Sequence, residues 1–138
     1  MNSERDFWAK GIATSQVETP VTFLREQAAL LGPKTNHLVE ARVRTNPGPG
    51  GKGLVHSFEL LVPTLDRYTY QLFSLYHEVE PLYPITVVDG PIPEHNRPFQ
   101  EALALATEDD LKNYMRLALS SEKTTRIINN LISQARAA

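Results

Sequence analysis

A glycine-rich stretch with a lysine, TNPGPGGKGLVHSF at residues 45–58, is the first candidate for chemistry in this chain. A phosphate-binding loop has the pattern G-x-x-x-x-G-K-[ST] between a strand and a helix, so that backbone amides at the helix start face the phosphate. Here Asn46 stands at the first glycine position, and Gly53 follows Lys52 in place of Ser or Thr. The residues after it alternate as in a strand. The stretch therefore predicts a hairpin connection between two strands.

A second motif, Ser120-Ser121-Glu122-Lys123, matches the S-x-x-K pattern of nucleophile and base in some acyl-transfer enzymes. Those enzymes also need partner motifs such as K-T-G and S-D-N, and the sequence contains neither. A serine hydroxyl just before a helical pattern satisfies free backbone amides at the helix start. Ser121, together with Ser120, is therefore predicted to cap the last helix.

The four histidines, His37, His56, His77 and His95, are the candidates for metal binding or acid–base chemistry. None is spaced i,i+4 or as H-x-H from another, and a metal site needs two or three converging ligands. Strand pairing is the one way to bring His56, His77 and Glu40 together. The chain has no cysteine, which removes zinc–thiolate sites and thiol nucleophiles. We predict no catalytic centre, no metal site and no cofactor.

His56 is the most informative histidine because it alternates with Leu54, Phe58 and Leu60 on the apolar face of a predicted strand. Such a histidine is usually neutral and hydrogen-bonded to a buried acceptor. Two interpretations stay open, a core residue or one side of a small polar pocket. The second would belong to a small hydrolase or ligand-binding domain. Its pocket would consist of His56, Tyr68, Tyr70 and Tyr76.

The elements that would position these residues begin with a helix and continue as strands. Thr19 is a predicted N-cap and Pro20 the first residue of the helix, which Gly32-Pro33 ends. From residue 36 onward the apolar period changes to alternation, which indicates half-buried strands. The predicted strands are HLVEARVRT at 37–45, GLVHSFELLV at 53–62, residues 68–77, and YPITVV at 83–88, the last at a sheet edge because Pro84 lacks an amide donor.

Helical spacing returns after the proline-rich loop at 89–98. A short helix is predicted at 99–106, a capping box of Thr107 and Asp110 precedes the next helix, and Ser121 opens the last. The order α-β-β-β-β-α-α predicts a single α+β domain over residues 19–138, with a four-stranded, mostly antiparallel meander sheet. Residues 1–18 would form an N-terminal arm or a short helix.

The second face of the predicted sheet is the candidate interaction surface. Strand three is apolar on both sides, and such a strand is either covered on both sides or binds a partner. Apolar residues with a charged rim have the anatomy of a protein interface. Two interpretations stay open, namely helices on both faces or an interface on one. The interface hypothesis names Leu61, Phe73 and Leu75 as apolar contacts, with Arg42 and Arg44 at the rim.

Length, composition and charge limit the classes of function. The 138 residues suffice for one core, and 41% hydrophobic and 22% charged residues are typical of a globular protein. A net charge of −2 does not favour nucleic acid, and Glu40 and Glu59 balance the two arginines of strand one. The N-terminus lacks the apolar segment of a signal peptide, and no apolar run is long enough to span a bilayer. We expect a cytoplasmic protein without a nucleic-acid or membrane partner.

In size and element content the chain is similar to small bacterial adaptors, secretion chaperones and toxin-immunity proteins. The likeness concerns the fold alone, and the secretion chaperones differ because a helix interrupts their sheet. The lack of a catalytic motif and the candidate interaction surface together predict a non-catalytic protein-binding module. Its partner would be another protein or a second copy of the chain, which would make a homodimer.

Overall fold

Three helices and five strands follow one another in the computed structural model, which describes residues 5–91 and 103–138. The strands form one antiparallel sheet in chain order, which confirms the predicted α+β fold with a meander. The helices are α1 (Pro20–Lys34), α2 (Glu108–Ser120) and α3 (Glu122–Ala137). The strands are β1 (Glu40–Pro47), β2 (Leu54–Val62), β3 (Tyr68–His77), β4 (Ile85–Asp89) and β5 (Leu103–Leu105).

The fifth strand replaces part of a predicted helix and changes the place of β4 in the sheet. Because β5 pairs with β4, the prediction that the fourth strand lies at an edge is wrong. Pro84 precedes β4 and takes no ladder position. The predicted short helix is also wrong at 103–105, where buried Leu105 and exposed Ala104 alternate as in a strand. Residues 92–102, with His95 and most of the predicted loop, lie outside the described residues.

Helix α1 begins where the sequence predicts and ends slightly later. Thr19 is the N-cap and Pro20 occupies the first turn, where its missing amide donor breaks no hydrogen bond. Pro33 does not end the helix, which continues to Lys34. The helix packs on the sheet through residues at helical spacing, Phe23, Leu24 and Ala28.

The glycine-rich stretch forms the connection of the β1–β2 hairpin, as predicted. Its ends are held by a hydrogen bond in which the Gly48 amide donates to the Gly53 carbonyl, 3.0 Å away. Gly53 has a φ of 65°, and a methyl group there would lie 2.8 Å from the Tyr76 ring. Glycine at this position is therefore needed both for the backbone conformation and for the close approach of the ring. Strand β2 follows directly, so no helix start faces Lys52.

A bulge in β3 decides which of its residues point toward the helices. Phe58 lies opposite Phe73. Two residues further along β2, Leu60 lies opposite Tyr70, which is three residues before Phe73 in β3. Strand β3 thus has one extra residue, at Leu72. Simple alternation fails across such a point, because the side chains beyond it change faces.

All three helices pack on one side of the sheet, here called the covered face. Side chains of α1 and α2 form one apolar cluster with Phe58 and Phe73, and side chains of α3 form a second with Leu60. Among the described residues, no helix is both long and apolar enough to cross a membrane. The covered face carries Ala41, Val43, His56, Phe58, Leu60, Val62, Tyr70, Phe73, Leu75, His77, Ile85, Val87, Leu103 and Leu105.

The two C-terminal helices start at the predicted caps. The Thr107 hydroxyl accepts a hydrogen bond from the amide of the third residue of α2, and the Ser121 hydroxyl accepts one from Thr124 of α3, each at 3.1 Å. The Ser120 hydroxyl donates to the carbonyl of Arg116. Both serines of the S-x-x-K motif therefore bond to backbone at a helix end, and the capping interpretation of Ser121 is confirmed.

Candidate functional site

The side of the sheet opposite the helices, here called the open face, is the first candidate site. Its apolar residues Val55, Leu61 and Tyr76 belong to neither of the clusters that the helices form. Within residues 5–91 and 103–138, no helix therefore forms an apolar cluster with this face. Cross-strand pairing assigns to it Arg42, Arg44, Val55, Ser57, Glu59, Leu61, Gln71, Ser74, Tyr76, Thr86 and Asp89.

One carboxylate organises the β1–β2 part of the open face. Glu59 Oε1 accepts a hydrogen bond from Arg42 Nε at 3.0 Å, and Glu59 Oε2 accepts one from Arg44 Nε at 3.1 Å. The Glu59 side chain is 3% exposed, whereas those of Arg42 and Arg44 are 41% and 57% exposed. A carboxylate that has lost its water needs such partners. Two guanidinium groups against one carboxylate leave an excess positive charge facing solvent.

Two further side-chain pairs extend this polar network across β2, β3 and β4. The hydroxyls of Ser57 and Ser74 lie 2.9 Å apart, and both residues are buried. Gln71 Nε2 donates to Asp89 Oδ2 at 2.8 Å. Hydrogen bonds between neighbouring strands hold side chains in one arrangement. The polar side chains of the open face are therefore held in one arrangement by bonds between strands.

The five residues of the interface hypothesis do not lie on the same face. Arg42, Arg44 and Leu61 lie on the open face. Phe73 and Leu75 are fully buried on the covered face, in the cluster that α1 and α2 complete. Simple alternation assigns the wrong face to these two residues because it ignores the bulge.

The four residues of the pocket hypothesis are likewise distributed over different surroundings. His56 is buried on the covered face, and Tyr70 packs against the cluster around α3. Tyr76 lies on the open face, and Tyr68 is half exposed at the start of β3. The residue that does meet His56 is another histidine.

A buried histidine pair is the second candidate site. His56 Nε2 and His77 Nε2 lie 2.8 Å apart, with the ring centroids separated by 4.9 Å and the ring planes inclined by 29°. His56 Nδ1 is 2.9 Å from the hydroxyl of Thr45, and His77 Nδ1 is 2.7 Å from the carbonyl oxygen of Glu78. The pairing of β1 with β2 and of β2 with β3 brings the three side chains together.

The proton positions in this row of hydrogen bonds follow from the one group in it that can only accept. The Glu78 carbonyl accepts, so neutral His77 carries its proton on Nδ1 and offers Nε2 as an acceptor. His56 then donates from Nε2, which leaves its Nδ1 to accept from the Thr45 hydroxyl. In this arrangement every ring nitrogen has a hydrogen-bond partner.

Burial lowers the pKa of His56 to about 4, because the charged ring would lose its hydration. The neighbouring imidazole of His77 and the guanidinium of Arg25 lower this pKa further. His56 is only 1% exposed, which agrees with burial as the main cause. The ring is therefore neutral at pH 7.

Thr45, His56 and His77 are hydrogen-bonded in the same order as the nucleophile, the base and the orienting group of a catalytic triad. Their reactivity is limited by the base, because a group with a pKa of about 4 is poorly matched to general base catalysis at neutral pH. The orienting group is limited too, since His77 lacks the negative charge with which an aspartate stabilises an imidazolium. The arrangement is better suited to linking three strands than to acyl transfer.

Sequence reasoning treats Glu59 only as a counter-charge and does not identify Thr45 at all. Of the two glutamates expected to balance the arginines, Glu59 pairs with both, whereas Glu40 bonds to His37 Nδ1 at 2.7 Å. The R-x-R pattern of β1 is the signal for this clamp, provided that the register with β2 is known. No comparable signal marks Thr45, because its role depends entirely on the residue opposite it.

Neither a metal cluster nor a similarity to known proteins identifies a function. In the part of the chain that the structure describes, no three His, Cys, Asp or Glu side chains are grouped so as to hold a metal ion. No protein-family model matches the chain, and comparisons with curated proteins and with solved structures find no match. The geometry of the open face and of the histidine pair is therefore the evidence that bears on function.

Proposed function

We propose that the chain is a small, non-catalytic protein-binding module that acts through the open face. The observation that carries this proposal is the clamp in which buried Glu59 fixes Arg42 and Arg44. Arginine is enriched at protein interfaces and forms paired hydrogen bonds with carboxylates. Because Glu59 already holds both guanidinium groups, binding a partner costs less side-chain entropy than ordering free arginines would.

The partner that fits this surface is another protein with a carboxylate beside apolar side chains. The excess positive charge of the clamp favours the carboxylate. Partly exposed Leu61, Val55 and Tyr76 supply apolar area that leaves water on binding. These features support an adaptor, chaperone or immunity-like role, in the reducing cytoplasm that a chain without cysteine suits.

Two full-length variants and a matched control test the proposal. Arg44→Gln removes one guanidinium group and leaves Arg42 to pair with Glu59, whereas Leu61→Asp places a charge on the apolar contact. Arg126→Gln is the control, because it removes an exposed arginine from α3 on the other side of the sheet. Each protein serves as bait in a lysate of the native host, and captured proteins are quantified by mass spectrometry.

We expect one protein that wild type and control capture equally and that both open-face variants capture at least about tenfold less. That protein is then purified and titrated against the four baits, and the affinities must follow the same order. The proposal is rejected if no captured protein depends on Arg44 and Leu61, provided that all four baits show the same cooperative melt.

A second candidate function, a small hydrolase, is favoured by the hydrogen bond between Thr45 and His56. The Thr45 oxygen would attack an ester carbonyl while its proton passes to His56 Nδ1. His56 would then protonate the departing alcohol, and water would release the acyl group from Thr45. A screen of activated esters with wild type and Thr45→Val tests this candidate. Turnover that is lost in the variant supports it, and equal background rates reject it.

A further inference from the structure

A groove of about 800 Å³ lies on the helix side of the molecule, between α1 and α2. Its floor is apolar and consists of Phe23 of α1 with Met115 and Leu119 of α2. Phe23 and Met115 are also part of the core, so the floor is held rigidly. A concave apolar floor of this size is large enough for bulky side chains of a ligand.

The walls of the groove carry opposite charges. Glu18 and Glu26 line it on the α1 side, and Lys112 and Arg116 line it on the α2 side. Neither glutamate belongs to an ion pair within the described part of the chain, whereas Lys112 pairs with Glu108 at 3.1 Å and lies over the Phe23 ring. Arg116 is therefore the cation of the basic wall that an incoming carboxylate would meet. A segment that presents aromatic side chains between a basic and an acidic residue would match both the floor and the walls.

The N-terminal arm, residues 5–18, has this composition. Phe7 and Trp8 are 90% and 79% exposed, and they stand between Asp6 and Lys10. Hydrogen bonds between residues close in sequence hold the arm in turns. One of them runs from the Trp8 amide to Asp6 Oδ1 at 3.1 Å. Two adjacent exposed aromatic rings are costly to leave in water and are typical anchors of an interface.

We propose that the groove binds the N-terminal arm of a second copy of this chain, with Phe7 and Trp8 on its floor. Lys10 of the incoming arm then faces Glu18 and Glu26, and Asp6 faces Arg116. A second copy is the occupant because one chain carries both complementary parts, while its own Phe7 and Trp8 are exposed and do not line its own groove. Reciprocal exchange of two arms closes a symmetric dimer and buries both aromatic pairs.

Tryptophan fluorescence tests this inference directly, because Trp8 is the only tryptophan in the chain. We expect its emission to shift to shorter wavelength as the protein concentration rises, in parallel with a doubling of mass in sedimentation. Trp8→Ser should weaken association at least about thirtyfold, as expected for an aromatic anchor. Val79→Ser, which removes another exposed apolar side chain, is the matched control and should leave association unchanged.

A mixing experiment then tests whether arm and groove come from different copies. Leu119→Lys disrupts the floor but keeps Trp8, and the double variant Phe7→Ser/Trp8→Ser keeps the groove but lacks tryptophan. Each should be monomeric alone, and mixing them should shift the Trp8 emission of the groove variant. If Leu119→Lys melts early, exposed Arg116→Glu replaces it, with association expected to be several-fold weaker.

Three results would overturn the inference. The first is an emission shift that does not depend on concentration, which would place the arm in its own groove. The second is a monomer with exposed tryptophan at all concentrations. The third is a dimer that Trp8→Ser leaves intact, which would use another surface. None of these results bears on the proposed function, because the open face lies on the opposite side of the sheet.

Discussion

Acidification is expected to destabilise the fold through the buried histidine pair. In the unfolded chain His56 has its ordinary pKa of about 6.5, whereas burial in the folded protein lowers this pKa to about 4. Between these values the unfolded state binds a proton that the folded state does not, so stability falls as the pH falls. The contribution is fully present above about pH 6.5 and is lost by about pH 4.

The magnitude follows from the two pKa values. Their difference of about 2.5 corresponds to about 3 kcal/mol, at about 1.36 kcal/mol for each unit. The cost arises mainly from lost hydration, and the neighbouring His77 ring and the Arg25 guanidinium add to it. It does not arise from broken hydrogen bonds, since a protonated Nδ1 would donate to the Thr45 oxygen. A loss of this size is a large fraction of a net stability of about 5 to 15 kcal/mol.

Urea unfolding at a series of pH values measures this loss. Because 16 aspartate and glutamate residues also titrate at low pH, wild type is compared with His56→Gln, which keeps a polar side chain but has no proton to gain. We expect wild type to lose about 3 kcal/mol more than the variant between about pH 7 and about pH 4. Parallel curves for the two proteins would refute the reasoning, as would an NMR titration that gives His56 a pKa near 6.5.

Three further predictions concern side chains and backbone whose roles the structure defines, and urea unfolding at neutral pH measures each. Phe73→Ala should cost about 3 to 5 kcal/mol, because this residue lies in the core; a loss below about 1 kcal/mol would contradict that placement. Gly53→Ala should destabilise clearly more than Gly51→Ala, because both have a positive φ but only Gly53 adjoins a tyrosine ring. Ser121→Ala should cost about 1 kcal/mol through its lost helix cap, and an equal loss in Ser120→Ala would argue against capping.

Features whose signal lies in a few consecutive residues could be predicted from the sequence. The caps at Thr107 and Ser121 depend on one hydroxyl and the amide three residues later, and both form as predicted. The start of α1 at Pro20 depends on the fixed φ and missing donor of proline. The hairpin of β1 and β2 follows from glycines between two alternating runs.

Features that depend on pairing between strands could not be predicted in this way. The bulge at Leu72 is visible only in the pairing of β3 with β2, and it changes the face of Phe73 and Leu75. Strand β5 has only three residues and is defined by its bonds to β4. The same holds for the candidate sites, since the clamp around Glu59 and the bond between His56 and His77 both cross strands.

The sheet separates the two surfaces that we propose for binding. The groove between α1 and α2 lies on the covered side, whereas Arg42, Arg44 and Leu61 lie on the open face. Exchange of arms would therefore leave the open face of each copy accessible, so that a dimer would present two of them. A partner with two matching surfaces would then bind the second one at a high effective concentration. Such a dimer would hold a bivalent partner more tightly than a Trp8→Ser monomer does, although the variant leaves every residue of the open face unchanged.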